Sequence, residues 1–161
     1  MSIFFSGSEL AEIASGIEKN GIVFYESLAA KAGNKETKTI YEYLAGEEKK
    51  HLATFQEMLK SAGQYKPPET YTEEYALYLK ALVDSVVFPD DKAAKEIANK
   101  ASSEAEALYF GIIAEKDSIL FYSEMRNLVR EADRHIIDAI IGEEKAHLRQ
   151  LSQLKAKLSK T

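Results

Sequence analysis

Two copies of the motif Glu-x-x-His carry the side chains in this sequence that are best suited to chemistry. They are Glu48-Lys-Lys-His51 and Glu144-Lys-Ala-His147. On a helix, side chains at i and i+3 project from one face, about 60° apart. Each motif therefore offers a carboxylate oxygen and an imidazole nitrogen in one direction. Such oxygen and nitrogen donors favour iron or manganese, although zinc would also bind them. The motifs therefore predict metal binding.

Each motif is preceded by a further glutamate within a second repeated block. Residues 18–25 and 115–122 agree at five of eight positions, and residues 46–52 and 142–148 agree at six of seven. The offsets of 97 and 96 residues indicate a duplicated pair of helices with a pseudo-two-fold axis. Four ionised glutamates carry four negative charges, which two divalent cations would balance. We therefore expect a dinuclear metal site formed by Glu18, Glu48, His51, Glu115, Glu144 and His147.

The elements that must position these residues are predicted to be helices only, because no stretch shows the strict alternation of a half-buried strand. Long helices are predicted over about 8–32, 36–62, 103–129 and 133–159, with Gly63 and the prolines at 67 and 68 ending the second. The crossover, residues 64–102, should contain a helix from Thr72 to about Phe88 and a short helix to about Lys100. Residues 1–161 are thus predicted to form one all-α domain, a four-helix bundle with a long crossover.

A 3/4 spacing of apolar residues marks the face that each long helix turns to the bundle axis. On the second and fourth long helices, the Glu-x-x-His motif is the single polar interruption of that face. Buried carboxylates without partners cost several kcal/mol each, so their inward position favours bound cations. The alternative, glutamates and histidines scattered on solvent-facing surfaces, fits neither the spacing nor the duplication.

Composition excludes several other classes of function. The sequence has 161 residues, no cysteine and a net charge of −5. Disulfides, zinc–thiolate sites and iron–sulfur clusters are therefore impossible within it. The acidic balance disfavours nucleic acid and anionic membranes. No apolar run approaches the roughly 18–20 residues of a membrane span, and residues 1–5 lack the basic start of a signal peptide. We expect a cytoplasmic protein.

In these blocks the sequence resembles the ferritin-like di-iron carboxylate proteins, and among them the rubrerythrins. The resemblance covers the four long helices, about 8–62 and 103–158, and leaves the crossover unmatched. It implies a ferritin-like bundle in which Glu48 and Glu144 bridge two iron ions. Glu18 with His51, and Glu115 with His147, would complete the two metal positions. It also implies that two tyrosines on the ligand face, Tyr25 and Tyr122, donate hydrogen bonds to the ligands, although ordinary core packing would explain them equally well.

The sequence departs from the rubrerythrin pattern in two ways. It has no Cys₄ rubredoxin module, and an extra glutamate one turn from the third-helix ligand is missing, since Ser118 and Ile112 stand at the two possible positions. The missing glutamate puts the family's peroxide-linked movement of one iron in doubt. The resemblance still implies an oxidoreductase that reduces peroxide or dioxygen with electrons from an external donor, a reductase or a rubredoxin-like protein. The alternatives are ferritin-like oxidation and storage of iron(II), and a non-catalytic bundle that holds manganese or zinc.

The remaining polar and aromatic residues have simpler interpretations. Glu47 and Glu143 adjoin the motifs but are rotated off the seam, so we expect them to face solvent or another helix. His135 has no counterpart in the first copy and should lie on the surface. Long amphipathic helices and an aromatic-rich crossover predict a homodimer, with the crossover tyrosines covering either the bundle or the dimer contact: Tyr71, Tyr75 and Tyr78.

Overall fold

The computed structural model describes residues 5–62 and 72–160, and every regular element in these ranges is a helix. The four long helices are α1 (Gly7–Lys31), α2 (Lys35–Ala62), α5 (Glu104–Leu128) and α6 (Arg134–Leu158). The crossover carries α3 (Glu73–Asp84) and α4 (Asp91–Lys100), and a 3₁₀ helix (Glu131–Asp133) precedes α6. The predicted all-α bundle is confirmed. The predicted end of the second helix at Gly63 and residues 67–68, and the crossover residue Tyr71, lie outside the described residues.

Side-chain caps fix where the helices begin. The Ser6 hydroxyl accepts the Glu9 N–H at 3.2 Å while the Glu9 carboxylate accepts the Ser6 N–H at 2.6 Å, a capping box for α1. Asn34 lies in the turn that ends α1, as predicted, but its side chain also caps α2 by accepting the Thr37 N–H at 2.8 Å. Each such cap stabilises a helix by about 1 kcal/mol. The caps therefore fix the residues at which α1 and α2 begin.

The end of α3 differs from the sequence prediction. We predicted a helix reaching Phe88, but α3 ends at Asp84. The N–H of Val87 donates to the Asp117 carboxylate on α5 at 2.8 Å, and the Phe88 carbonyl accepts from the Asn20 side chain on α1 at 2.9 Å. The following proline also disfavours a helical conformation at Phe88. Residues 86–88, called the 86–88 strap below, therefore leave the helix and cross from α5 to α1.

The hydrophobic core consists of two clusters separated by a polar layer. On α1, Leu10 belongs to the first cluster and Leu28 to the second, and Glu18 lies between them in the chain. The other three long helices show the same arrangement, with the predicted ligands between members of the two clusters. Apolar packing on both sides thus holds the polar layer at one level. None of the helices in the described residues is long and apolar enough to cross a membrane.

Candidate metal centre

Six buried side chains converge between the two hydrophobic clusters. They form two groups, each with ligand atoms within 4.8 Å of one another, and both groups contain Glu48 and Glu144. Glu18 and His51 complete the first group. The second is completed by Glu115 and His147, and none of the six residues is more than 4% exposed. The structure thus brings together all six residues that the sequence predicts as ligands, although their binding of a metal stays a prediction.

Each histidine points its Nδ1 atom into the cluster. The His51 Nδ1 atom lies 3.0 Å from Glu144 Oε1 and 3.6 Å from Glu18 Oε2. The His147 Nδ1 atom lies 3.1 Å from Glu144 Oε2 and 3.6 Å from an oxygen of both Glu48 and Glu115. The two imidazole rings are 5.7 Å apart between centroids and inclined by 25°. The i and i+3 spacing on α2 and α6 therefore places one nitrogen beside the carboxylates of each group.

Unsatisfied polar atoms in this cluster test whether the residues suit a metal. In the described part of the chain, four buried atoms of the first group have no hydrogen-bond partner: Glu18 Oε2, Glu48 Oε1, His51 Nδ1 and Glu144 Oε1. The 3.0 Å approach of His51 to Glu144 lacks hydrogen-bond geometry, so it satisfies neither atom. Leaving a buried donor or acceptor unpaired costs about 1–3 kcal/mol. A cation at this position would coordinate these atoms, so the residues fit the metal that the sequence predicts.

The electrostatics of the cluster also favour positive charge. Burial, together with the negative charge of Glu48, raises the pKa of Glu18 well above its usual value. Burial and the charge of Glu144 raise the pKa of Glu115 to about 8. Although burial opposes protonation of His51, the carboxylates of Glu144 and Glu18 raise its pKa to about 11. Protons therefore supply the positive charge when no metal is bound, and a metal must displace them.

The two buried tyrosines bind glutamates across the bundle. The Tyr25 hydroxyl on α1 donates to Glu115 on α5, and the Tyr122 hydroxyl on α5 donates to Glu18 on α1. Burial and the charge of the accepting carboxylate raise the pKa of each tyrosine well above its usual value, so both hydroxyls remain protonated donors. Tyr25 also stacks on Tyr41, with 6.4 Å between ring centroids. The sequence placed both tyrosines on the ligand face, but it did not predict that each would donate to a glutamate on the other helix.

The outer edges of the two histidines differ, which breaks the pseudo-symmetry. The His51 Nε2 atom lies 2.6 Å from Glu143 Oε2, so Glu143 on α6 contacts a histidine on α2. Its counterpart Glu47 instead pairs with Lys50 on the same helix at 2.5 Å. The ring of His147 meets Tyr43 edge-on, with 6.2 Å between centroids. Sequence reasoning missed Tyr43; its replacement by alanine in the second copy, at an offset of 96, is the signal that could have found it.

His135, Ser118 and Ile112 do not belong to the two groups of candidate ligands. His135 is exposed, as predicted. Ser118 is buried beside the cluster and Ile112 packs against the second hydrophobic cluster, so neither position supplies a further carboxylate. Of the predicted crossover tyrosines, Tyr75 and Tyr78 both donate to Glu124 on α5. These two tyrosines therefore join the crossover to the bundle.

Comparison with known proteins agrees with this helical fold and identifies the family to which the chain belongs. Among solved structures, the chain is similar to the crystal structure of a candidate ferritin-like diiron-carboxylate protein from Thermotoga maritima, with 28% sequence identity and a TM-score of 0.70. The match covers 95% of this chain and 96% of that chain. No curated protein matches. A sequence model of the family described as Rubrerythrin matches residues 9–155, which include all six clustered residues. The chain belongs to the rubrerythrin family.

Proposed function

We propose that this protein is a non-haem di-iron oxidoreductase that reduces hydrogen peroxide or dioxygen with electrons from a separate donor. The observation that carries the proposal is the pair of four-residue groups that share Glu48 and Glu144. Shared carboxylates would hold two metal ions side by side, so that both could act on one O–O bond. Two iron(II) ions held there would supply the two electrons that, with two protons, reduce hydrogen peroxide to two molecules of water.

The six residues have distinct proposed roles. Glu48 and Glu144 would be shared by the two metal ions, because each belongs to both groups. Glu18 with His51 would complete one position, and Glu115 with His147 would complete the other. Carboxylates can shift between binding modes as metal charge changes, whereas the imidazole of His51 is held by Glu143. Glutamate and histidine donors without a thiolate suit iron or manganese, and iron is the metal implied by the family.

Tyr25 and Tyr122 are proposed to orient the outer glutamates. Each hydroxyl donates to Oε1 of a glutamate on the opposite helix, which leaves Oε2 of that glutamate for the metal. Both tyrosines are almost fully buried, and their raised pKa values keep the proton on the hydroxyl. Removal of water from this region strengthens the electrostatic interactions within it. The bundle thus fixes the ligand geometry and limits access of solvent.

The electrons are proposed to come from a separate protein. The 161 residues contain no cysteine and no tryptophan, so they provide neither a rubredoxin-type iron site nor an indole for electron transfer. A reductase or a rubredoxin-like protein would therefore have to reduce the centre between turnovers. Without such a donor, the reduced protein should react with its oxidant once and stop.

Stopped-flow oxidation of the anaerobically loaded iron(II) protein tests this proposal. We expect one fast phase with either hydrogen peroxide or dioxygen and sustained turnover only when a reductase is added. Sustained disproportionation of peroxide without a donor would contradict the proposal and indicate a catalase-like di-manganese enzyme. Continued uptake of iron beyond two ions per chain would indicate ferritin-like storage. If neither oxidant reacts, the centre is a non-catalytic metal site.

A further inference from the structure

A small cavity lies beside the cluster of glutamates and histidines, beneath the 86–88 strap. Its volume is about 30 Å³, and its lining includes Tyr25, Glu48, Glu115 and Ser118. A cavity needs about 10–15 Å³, on this measure, to hold one water molecule. The space therefore accommodates one or two small molecules in contact with residues of both metal positions.

Two small residues, related by the repeat, help to create this space. Gly21 on α1 and Ser118 on α5 are separated by 97 residues, the same offset as Glu18 and Glu115. A Cβ atom on residue 21 would lie 3.3 Å from Glu48 Oε2, tighter than most such contacts. A larger side chain at either position would therefore occupy the space beside the carboxylates.

The outer wall of the cavity is the 86–88 strap. All three strap residues line the cavity, together with Ala114 and Asp117 on α5. The strap is fastened to α5 by the hydrogen bond from Val87 to Asp117 and to α1 by the hydrogen bond from Asn20 to Phe88. The Phe88 ring also packs on Phe24, with 4.4 Å between centroids. Contacts on both sides thus hold an apolar wall close to the carboxylates.

We propose that this cavity is the entry and binding site of the oxidant, and that the 86–88 strap restricts it to hydrogen peroxide and dioxygen. The inference rests on the proposed function. Both molecules consist of two linked oxygen atoms, which fit the volume, and peroxide can hydrogen-bond to Ser118 and the carboxylates. An organic hydroperoxide carries a bulky carbon group that the space beneath Val87 does not accommodate. The strap is therefore a specificity determinant of the reaction.

Binding is tested in the zinc-loaded full chain, which has no redox chemistry. Dissolved dioxygen is the probe, because its paramagnetism relaxes nearby methyl protons in NMR spectra. We expect stronger relaxation of the Val87 and Ala114 methyl groups than of those of Val23 and Ala32, which are also partly buried but do not line the cavity. Ser118→Val should fill the space and abolish the difference while two zinc ions still bind. Equal relaxation of all four residues in the wild-type chain would overturn the assignment.

Specificity is tested by reacting the iron(II) form with hydrogen peroxide and with cumene hydroperoxide. Methylene-sized changes in a pocket alter discrimination by about 10- to 200-fold. Val87→Ala should therefore raise the ratio of the rate with cumene hydroperoxide to the rate with hydrogen peroxide about tenfold or more. Val83→Ala is the matched control, because Val83 packs against the first hydrophobic cluster.

The outcomes separate this inference from the proposed function. Equal wild-type rates with both peroxides, or equal effects of Val87→Ala and Val83→Ala, would overturn the role of the strap while the proposed function stands. If the iron(II) form reacts with no oxidant, the proposed function fails. The dioxygen relaxation of the zinc form then still decides whether the cavity admits a small molecule.

Discussion

Removal of a glutamate that belongs to one group should eliminate one metal position, whereas removal of a shared glutamate should eliminate both. Glu18 contributes to the first group only, so Glu18→Ala leaves the second group with all four of its donors. Glu48 contributes to both groups, so Glu48→Ala leaves three donors in each. Glu144→Ala should match Glu48→Ala, because the two halves are related by pseudo-symmetry.

The size of the effect follows from linkage between binding and folding. At a free metal concentration 100 times the dissociation constant, each bound ion stabilises the native state by about 2.7 kcal/mol. For a protein of this length, 1 kcal/mol raises the Tm by about 2–4 °C. Two ions should thus raise the wild-type Tm by about 11–22 °C. Glu18→Ala should retain about half of this increase, and Glu48→Ala and Glu144→Ala almost none.

Differential scanning calorimetry of anaerobic samples, with and without iron(II), measures these shifts, and metal analysis after desalting gives the bound stoichiometry. Glu12→Ala is the matched control, because Glu12 is an exposed glutamate on the same helix as Glu18. It should bind two ions and show the full wild-type shift. Retention of two ions and a full shift by Glu48→Ala would refute the assignment of shared ligands.

Four further predictions concern the pH dependence of metal affinity, the pH dependence of stability, the buried tyrosines and assembly. Glu115 and His51 hold protons at neutral pH because their pKa values are raised, to about 8 and about 11, and a metal must displace these protons. The affinity of the protein for metal should therefore rise from pH 6 to pH 8. Calorimetry in buffers of different ionisation enthalpy measures the protons released on binding. In the metal-free protein these groups bind more protons when folded. The free energy of unfolding should therefore fall as pH rises, between about 4.5 and 8 for Glu115 and between about 6.5 and 11 for His51. Urea unfolding at several pH values measures this decline, and a constant free energy would show that the pKa values are normal. Tyr25→Phe and Tyr122→Phe each leave a buried carboxylate oxygen without its donor and should each cost about 1–3 kcal/mol in urea unfolding, with similar effects in the two halves. Light scattering at micromolar concentration should give the mass of a homodimer, and a monomer would contradict that expectation.

The six residues that the sequence predicted as ligands lie together because one pattern determines both their burial and their position. Their binding of metal stays a prediction. The 3/4 spacing that makes a helix face apolar also placed Glu48 and His51 on that face, and the duplication supplied the second half of the cluster. Contacts between distant segments could not be predicted in this way. The early end of α3 depends on Asp117, 30 residues from Val87. The hydrogen bonds of Tyr25 and Tyr122 to glutamates on the other helix depend on how α1 and α5 face each other. The same holds for the contact between His51 and Glu143, since local spacing only placed Glu143 off the seam.

Anomalous diffraction from a crystal of the metal-loaded protein, recorded at the iron and manganese absorption edges, tests the central claim most directly. We expect two peaks per chain between Glu48 and Glu144, separated by roughly 3.5–4 Å as in other two-metal sites, and stronger at the iron edge. A single peak, or peaks only at surface carboxylates away from these six residues, would contradict the dinuclear centre.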